Sequence, residues 1–200
     1  MRSDTIATIP SPHMHPARAI LVLFIVAPFV HACGNAEEDC DDGAEDDCGG
    51  CCDVFEPSDH ACHAPSLGNF TDSPDTSSAV PGLTIGAGEG DDVDWYSFHV
   101  TDELDLGGSP WITVRLTGAA AGTTVAGWFR CDEGSERHTC TVGIVDTSEG
   151  EGCRALDAST GFRLDPDCSS TADDDGVMLV RVLSASSATC EPYQLDIAVQ

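Results

Sequence analysis

The sequence is poor in basic residues. It has no lysine, and eight arginines stand against 35 acidic residues, which gives a formal net charge of -27 at pH 7. Binding to nucleic acid needs a basic footprint that neutralises phosphates, and attraction to anionic lipid headgroups needs the same sign of charge. The composition therefore excludes nucleic acid as an expected partner and predicts a self-repelling chain that attracts cations.

The chain also lacks an apolar run long enough for a transmembrane helix. Its longest run, Ala19 to Val30, has about 12 residues, whereas a spanning helix needs about 20. Arg18 precedes this run and the small residue Ala32 follows it, which is typical of a signal peptide over residues 1–32. The preceding stretch is long and rich in proline, so we take Met14 as the start of translation.

Catalytic motifs are missing as well. The sequence has no Gly-x-Ser-x-Gly elbow, no His-Glu-x-x-His motif and no phosphate-cradling loop. No small-molecule substrate is evident, and the histidines have no nucleophile in their sequence context. We therefore expect a protein without enzymatic activity. The alternative is a small extracytoplasmic enzyme whose site is assembled from loops.

The residues after the apolar run, Val30-His31-Ala32-Cys33, resemble a lipobox, the bacterial lipoprotein signal whose cysteine is acylated. The resemblance implies lipidation of Cys33 and membrane attachment through that lipid, at the outer membrane or cell surface. The cysteine count agrees, because setting Cys33 aside leaves ten of the eleven cysteines for pairing. Alternatively, Val30 and Ala32 fit ordinary signal-peptidase cleavage, and the protein is secreted.

Residues 33–54 are acidic and rich in glycine and cysteine, with no apolar periodicity. Such a segment cannot bury a core, so we predict a disordered, solvated tether. Its cysteines indicate an oxidising compartment, where disulfides stabilise small domains. A zinc site is the alternative for Cys48, Cys51, His60 and Cys62, but thiols behind a signal peptide are expected to be oxidised.

From Leu83 onward, apolar and polar residues alternate with a period of two, which predicts strands. Turn formers such as Gly107 to Pro110 and Asp173 to Gly176 separate them. Short strands with evident turns predict an all-β, antiparallel, disulfide-rich sandwich over residues 55–200. The predicted strands are Asp94 to Val100, Trp111 to Leu116, Thr123 to Arg130, Val142 to Val145, Val177 to Leu183 and Tyr193 to Val199.

Two odd sets of cysteines predict a bridge between the first part of the mature chain and the sandwich. With Cys33 lipidated, each set has five members, so full oxidation forces at least one bridge between the sets. We predict the pairs Cys131–Cys140, Cys153–Cys168 and Cys62–Cys190, although sequence alone does not fix the connectivity. The first set is Cys40, Cys48, Cys51, Cys52 and Cys62, and the second is Cys131, Cys140, Cys153, Cys168 and Cys190.

Three segments resemble the bacterial pre-peptidase C-terminal domain family. Asp91 to Val100 is similar to the D-x-D-W-Y-x-F-x-V strand of those domains, Glu56 to Asp59 to their opening E-P-N-D segment, and Tyr193 to Val199 to their closing Y-x-L-x-V strand. The similarity spans residues 55–200. The family comprises jelly-roll-like sandwiches attached to exported hydrolases, where they assist secretion, adhesion or stability. Here no hydrolase is attached.

Some members of that family bind calcium, and the resemblance implies a calcium site in this chain. Calcium takes six to eight oxygen ligands, several of them carboxylates. The alternative is a solvated acidic edge. By position in the two matching segments, the candidate ligands are Glu56, Asp59, Asp92 and Asp94.

The three tryptophans, Trp95, Trp111 and Trp128, fall opposite the clearest apolar stripes. In a two-layer sandwich that face is normally exposed, so they would form an aromatic platform for a carbohydrate or protein ligand. Alternatively, that face is itself buried. We expect a lipid-anchored envelope protein acting in adhesion, binding or scaffolding. The alternative function is a calcium-binding accessory module detached from a secreted hydrolase.

Overall fold

The computed structural model describes residues 55, 58, 60–88, 90–91, 93–103, 109–155, 157, 159–169, 174–184 and 190–200. All of them belong to the compact unit Asn35–Gln200. The predicted signal peptide, the lipidation site Cys33 and the tether lie outside the described residues. Within the described ranges, no helix has the length and apolar character needed to cross a membrane.

Two β-sheets form the fold, with one 3-10 helix (Ala61–His63) before the first strand. The six-stranded sheet contains, in spatial order, β1 (Ser66–Thr71), β5 (Val93–Thr101), β12 (Gly176–Leu183), β7 (Thr124–Cys131), β10 (Gly150–Ala155) and β9 (Gly143–Thr147). The five-stranded sheet contains β2 (Thr76–Ile85), β13 (Glu191–Val199), β6 (Ile112–Thr117), β11 (Phe162–Cys168) and β8 (Glu136–Cys140). Two short strands, β3 (Ala87–Gly88) and β4 (Gly90–Asp91), pair with each other in a separate two-stranded sheet.

Strand pairing within the two sheets is antiparallel, except that β1 pairs parallel with β5. The predicted all-β sandwich is confirmed. All six predicted strands are present as β5, β6, β7, β9, β12 and β13. Strands β1, β2, β8, β10 and β11 were not predicted, and they complete both sheets.

The main core lies between the two sheets and follows the period-two pattern. Alternate residues of β5, β6 and β13 point into it and are buried. Fully burying one large apolar side chain contributes about 1.5–3 kcal/mol. The close approach of the sheets requires Gly127 on β7, since a Cβ there would lie 2.6 Å from Cζ of Phe162. The core side chains of these three strands are Tyr96, Phe98, Val100, Ile112, Val114, Leu116, Tyr193, Leu195, Ile197 and Val199.

Two disulfides join one sheet to the other. Cys131 of β7 pairs with Cys168 of β11, and Cys140 of β8 pairs with Cys153 of β10, with Cα–Cα distances of 5.8 Å and 5.5 Å. The predicted pairs Cys131–Cys140 and Cys153–Cys168 are therefore wrong. The prediction joined cysteines that are neighbours in sequence, whereas the packing of the two sheets selects partners on facing strands.

Cys62 and Cys190 are both disulfide-bonded. The structure does not join them to each other, so the predicted Cys62–Cys190 bridge is wrong, and their partners lie outside the described residues. Disulfides of this number are consistent with an extracytoplasmic location.

Candidate binding face

The outer face of the six-stranded sheet, the side turned away from the other sheet, carries a second apolar cluster. Trp95, Trp128 and Leu179 are buried there together with Ala64 and Ala126. They pack on the side opposite the main core, where the period-two pattern predicts solvent. This face is therefore a packed surface.

The segment before β1 covers part of this face. The backbone N–H of Trp95 donates a hydrogen bond to the Ser58 carbonyl at 2.8 Å, and the Ser97 hydroxyl donates one to the Ala64 carbonyl at 3.2 Å. The 3-10 helix interrupts this run, and its Ala61 packs against the outer cluster. Hydrogen bonds from the backbone and from Ser97 of β5 thus hold this segment beside the strand, and Ala61 and Ala64 pack onto the outer cluster.

Trp128 fits flat on the sheet because β10 has glycines beneath it. The indole Nε1–H donates to the Gly150 carbonyl at 3.1 Å. A Cβ on Gly152 would lie 2.7 Å from both Cδ1 and Nε1 of Trp128, which is closer than atoms can approach. The ring centroids of Trp95 and Trp128 lie 5.3 Å apart, within the range of favourable aromatic pairs.

The predicted exposed platform of three tryptophans is wrong for two of them. Trp95 and Trp128 are 6% and 1% exposed, because the covering segment and the outer cluster bury them. Trp111 is 44% exposed and precedes β6 of the five-stranded sheet, where the Arg163 guanidinium lies 3.0 Å from its ring centroid. The three indoles therefore do not form one surface.

Two arginines lie in one row across this outer face. Register places Trp95 of β5 beside Arg181 of β12, Arg181 beside Ala126 of β7, and Ala126 beside Arg154 of β10. The Arg181 guanidinium carbon lies 5.5 Å from the Trp95 ring centroid and 5.1 Å from that of Trp128. Both distances are within the range of cation–π attraction, which holds Arg181 over the indoles.

The charges of this row are not balanced by carboxylates. Neither Arg154 nor Arg181 forms an ion pair with any described residue, and the Nε atoms of both are buried without an acceptor there. Burial lowers the pKa of Arg181, and the positive charge of Arg154 lowers it further against the opposing effect of Glu149. The nearby Arg130, by contrast, pairs with Glu149.

A shallow cleft of about 580 Å³ opens beside Arg154, with Ile144, Asp157 and Thr160 among its lining residues. Ile144 is 66% exposed. Asp157 forms no ion pair with Arg154; its carboxylate accepts hydrogen bonds from the Ser159 hydroxyl at 2.6 Å and from the Ser159 N–H at 3.0 Å. These hydrogen bonds lower the pKa of Asp157.

Of the four candidate calcium ligands, only Asp94 is among the described residues. Its carboxylate is fully buried and accepts a hydrogen bond of 2.6 Å from the Tyr193 hydroxyl, which in turn lies 2.6 Å from the Tyr96 hydroxyl. Burial, with Tyr96 and Asp94 alongside, raises the pKa of Tyr193 well above its usual value. Glu56, Asp59 and Asp92 lie outside the described residues, so the calcium site stays a prediction.

Three further carboxylates, those of Asp72, Asp102 and Asp174, accept hydrogen bonds from backbone N–H groups. Asp72 accepts from the Glu103 N–H at 3.0 Å, Asp102 from the Asp174 N–H at 3.1 Å, and Asp174 from the Cys168 N–H at 2.6 Å. Burial raises the pKa of Asp102 to about 6, and the charges of Asp72 and Asp174 add to this effect against the Asp174 hydrogen bond. Each carboxylate therefore has a structural use.

One cluster has the residue types of a soft-metal site. The ligand atoms of His138, Cys140 and Cys153 lie within 4.8 Å of one another. Cys140 and Cys153 are joined in a disulfide, so neither supplies the thiolate that zinc requires. The same holds for Cys62 in the zinc alternative of the sequence, because it too is disulfide-bonded.

Sequence reasoning did not select Arg154 and Arg181. A usable signal was present at Val180-Arg181-Val182, where an arginine stands between strand-forming residues in a chain with only eight basic residues. A charged residue at an alternate strand position usually indicates solvent, however, and its pairing state depends on neighbouring strands.

No family model, curated protein or solved structure matches this chain. The resemblance to pre-peptidase C-terminal domains accordingly stays a prediction, and the functional argument depends on the geometry of the outer face.

Proposed function

We propose that this chain is an extracytoplasmic binding or scaffolding module, anchored at the cell envelope by a lipid on Cys33. It acts through the outer face of the six-stranded sheet. The observation that carries the proposal is the pair of arginines on that face, Arg154 and Arg181, which form no ion pair with a described carboxylate. The disulfides between the sheets support the location.

A rigid sheet face of this composition suits recognition. Tryptophan and arginine are the residues most enriched at the energetic centres of binding interfaces. Here Trp95 and Trp128 are buried beneath Arg181, so they fix the guanidinium in place before a ligand arrives. A preorganised group loses less conformational entropy on binding, and affinity rises accordingly.

The anchor is tested by replacing Cys33 with serine. We expect the wild-type protein to partition with detergent and to carry a lipid-modified mature N-terminus by mass spectrometry. Cys33→Ser is expected to be released from the membrane fraction. Cys40→Ser, in the same cysteine-rich segment, is the matched control and should stay anchored. An unmodified mature terminus in the wild-type protein would refute the anchor.

A calcium-binding module is the second candidate, supported by the fully buried carboxylate of Asp94. A ligand that binds only the folded state raises the melting temperature by mass action. Millimolar calcium should therefore raise the melting temperature of the wild-type protein and not that of Asp92→Asn. Melting curves that do not move with calcium would remove this candidate.

A further inference from the structure

We propose that Arg154 and Arg181 form a binding site for an oxyanion, namely a carboxylate, sulfate or phosphate group of the ligand. This inference names the ligand class for the binding role proposed above and rests on that role. It is independent of the lipid anchor.

The register brings the two guanidinium groups over the same part of the face. Arg181 and Arg154 stand on strands that are separated only by β7, so their backbones are about 10 Å apart. The residue between them is Ala126, whose methyl side chain leaves the space above the sheet open to the two longer side chains. Two positive groups thus border one small area of surface.

One donor of each guanidinium group is shielded from water without gaining an acceptor. The Nε atoms are buried and have no hydrogen-bond partner among the described residues, which is unfavourable because a buried donor loses its hydration. The two like charges also repel one another. One oxyanion between them offsets this repulsion, because the terminal nitrogens of a guanidinium donate parallel hydrogen bonds to the oxygens of a carboxylate, sulfate or phosphate.

Two described carboxylates in the vicinity have other partners. Glu149 pairs with Arg130, and Asp157 accepts hydrogen bonds from Ser159. On the other sheet, Arg115 pairs with Asp196, and Arg163 stacks on Trp111. Arg154 and Arg181 therefore differ from these arginines in having neither a carboxylate nor, for Arg154, an aromatic ring assigned to them among the described residues.

The net charge of -27 does not prevent local binding of an anion. At physiological salt, charges beyond a screening length of about 8 Å contribute little, so a nearby pair of guanidinium groups outweighs distant carboxylates. Arg154 also lines the cleft described above. The buried indoles position Arg181 and do not contact the ligand.

The test is an NMR titration of the arginine Nε–H signals in the mature chain that carries Cys33→Ser. Sulfate, phosphate and acetate are added separately at constant ionic strength. We expect a saturable shift of the Arg154 and Arg181 signals with at least one anion, and a matching rise in melting temperature. Tighter binding of sulfate or phosphate identifies a tetrahedral oxyanion, and tighter binding of acetate identifies a carboxylate.

Arg154→Gln is the decisive variant. Arg181 packs on two indoles, so its replacement would change stability as well as anion binding. We expect Arg154→Gln to weaken binding at least tenfold while the melting temperature without anion does not fall, since the variant also removes the repulsion of Arg181, and we expect the matched control Arg163→Gln to bind as the wild type does. Absence of a saturable shift with all three anions overturns the site, as does wild-type affinity in Arg154→Gln. Neither outcome bears on Cys33, whose modification is read by mass spectrometry.

Discussion

Trp128, on the outer face of the six-stranded sheet, is 1% exposed, whereas Trp111, beside the five-stranded sheet, is 44% exposed. An arginine lies over each ring, Arg181 in the first case and Arg163 in the second. The difference comes from the surroundings of each ring, because Gly150 and Gly152 of β10 accommodate Trp128, and Trp95 and Arg181 pack against it. Residue type alone therefore does not decide whether an aromatic residue on a sheet is a surface or a core residue.

The outer faces of the two sheets also differ in how their charged side chains are paired. On the five-stranded sheet, the Asp196 carboxylate accepts from the Thr117 hydroxyl and the Gln194 amide, both at 2.6 Å, and pairs with Arg115 at 3.3 Å. On the six-stranded sheet, Arg154 and Arg181 have no such partner among the described residues. Arg115 and Asp196 thus pair with each other on one face, whereas Arg154 and Arg181 on the other face form no ion pair among the described residues.

The largest expected effect concerns the two tryptophans. Trp128→Ala should lower the free energy of unfolding by about 3–5 kcal/mol, since it removes a buried indole and leaves a cavity. Trp111→Ala should lower it by less than about 1 kcal/mol, because the ring is half exposed. Urea denaturation with the disulfides intact measures both. Equal losses in the two variants would mean that the faces do not differ in packing.

Two glycines of the same sheet provide a finer comparison. Gly152→Ala should destabilise the protein by about 1–3 kcal/mol, because its methyl group would lie 2.5 Å from the Gly127 carbonyl oxygen and 2.7 Å from two atoms of the Trp128 indole. Gly143→Ala on the neighbouring β9 is the matched control, since a Cβ there would only contact the Arg154 carbonyl at 3.8 Å. A control variant as unstable as Gly152→Ala would show that loss of strand glycine, and not these close contacts on β7, is responsible.

Two of the strands that sequence predicted, β6 and β13, alternate strictly and have one face on the main core. The missed strand β11 alternates in the same way, but the missed strands also carry residues that argue against a strand. In β10, Gly150 and Gly152 take positions where an apolar residue would have signalled a strand, and Pro166 interrupts β11. Pairing with adjacent strands of the sheet determines the conformation of these segments, so their own sequence does not identify them as strands.

The candidate site was less predictable than the fold. The sequence placed Trp95 and Trp128 on the correct side of their strands, opposite the main core, but the segment that covers them comes from far away in the chain. The row of Arg181, Ala126 and Arg154 depends on three strands coming into register. Disulfide partners likewise depend on how the two sheets face each other.

The smallest expected effects come from two carboxylates with opposite pH dependence. Burial raises the pKa of Asp102 to about 6 from an ordinary 3.8. Its contribution to stability is therefore fully present below about pH 4 and is lost as the pH rises through about 6. Asp102→Asn should increase the free energy of unfolding at pH 7 by on the order of 1 kcal/mol, after allowance for solvent screening, and should have little effect at pH 3.

Asp196 should behave in the opposite sense. Burial acts to raise its pKa, but hydrogen bonds from Thr117 and Gln194 and the charge of Arg115 outweigh burial and lower it. Its stabilisation is present at neutral pH and lost as the pH falls through the lowered pKa. Asp196→Asn should cost less than about 1 kcal/mol at pH 7. The exposed Asp167→Asn on β11 is the control, and parallel pH profiles for all three variants would contradict the assignment.

Acrylamide quenching of tryptophan fluorescence tests most directly whether the outer face of the six-stranded sheet is a packed surface. Trp111 is the one exposed indole among the three, so Trp111→Phe should remove most of the quenching, and the remaining emission should shift to shorter wavelength. Unfolding in urea should restore strong quenching. If the folded Trp111→Phe protein is quenched as strongly as the wild type, Trp95 and Trp128 are open to solvent and the packed face does not exist.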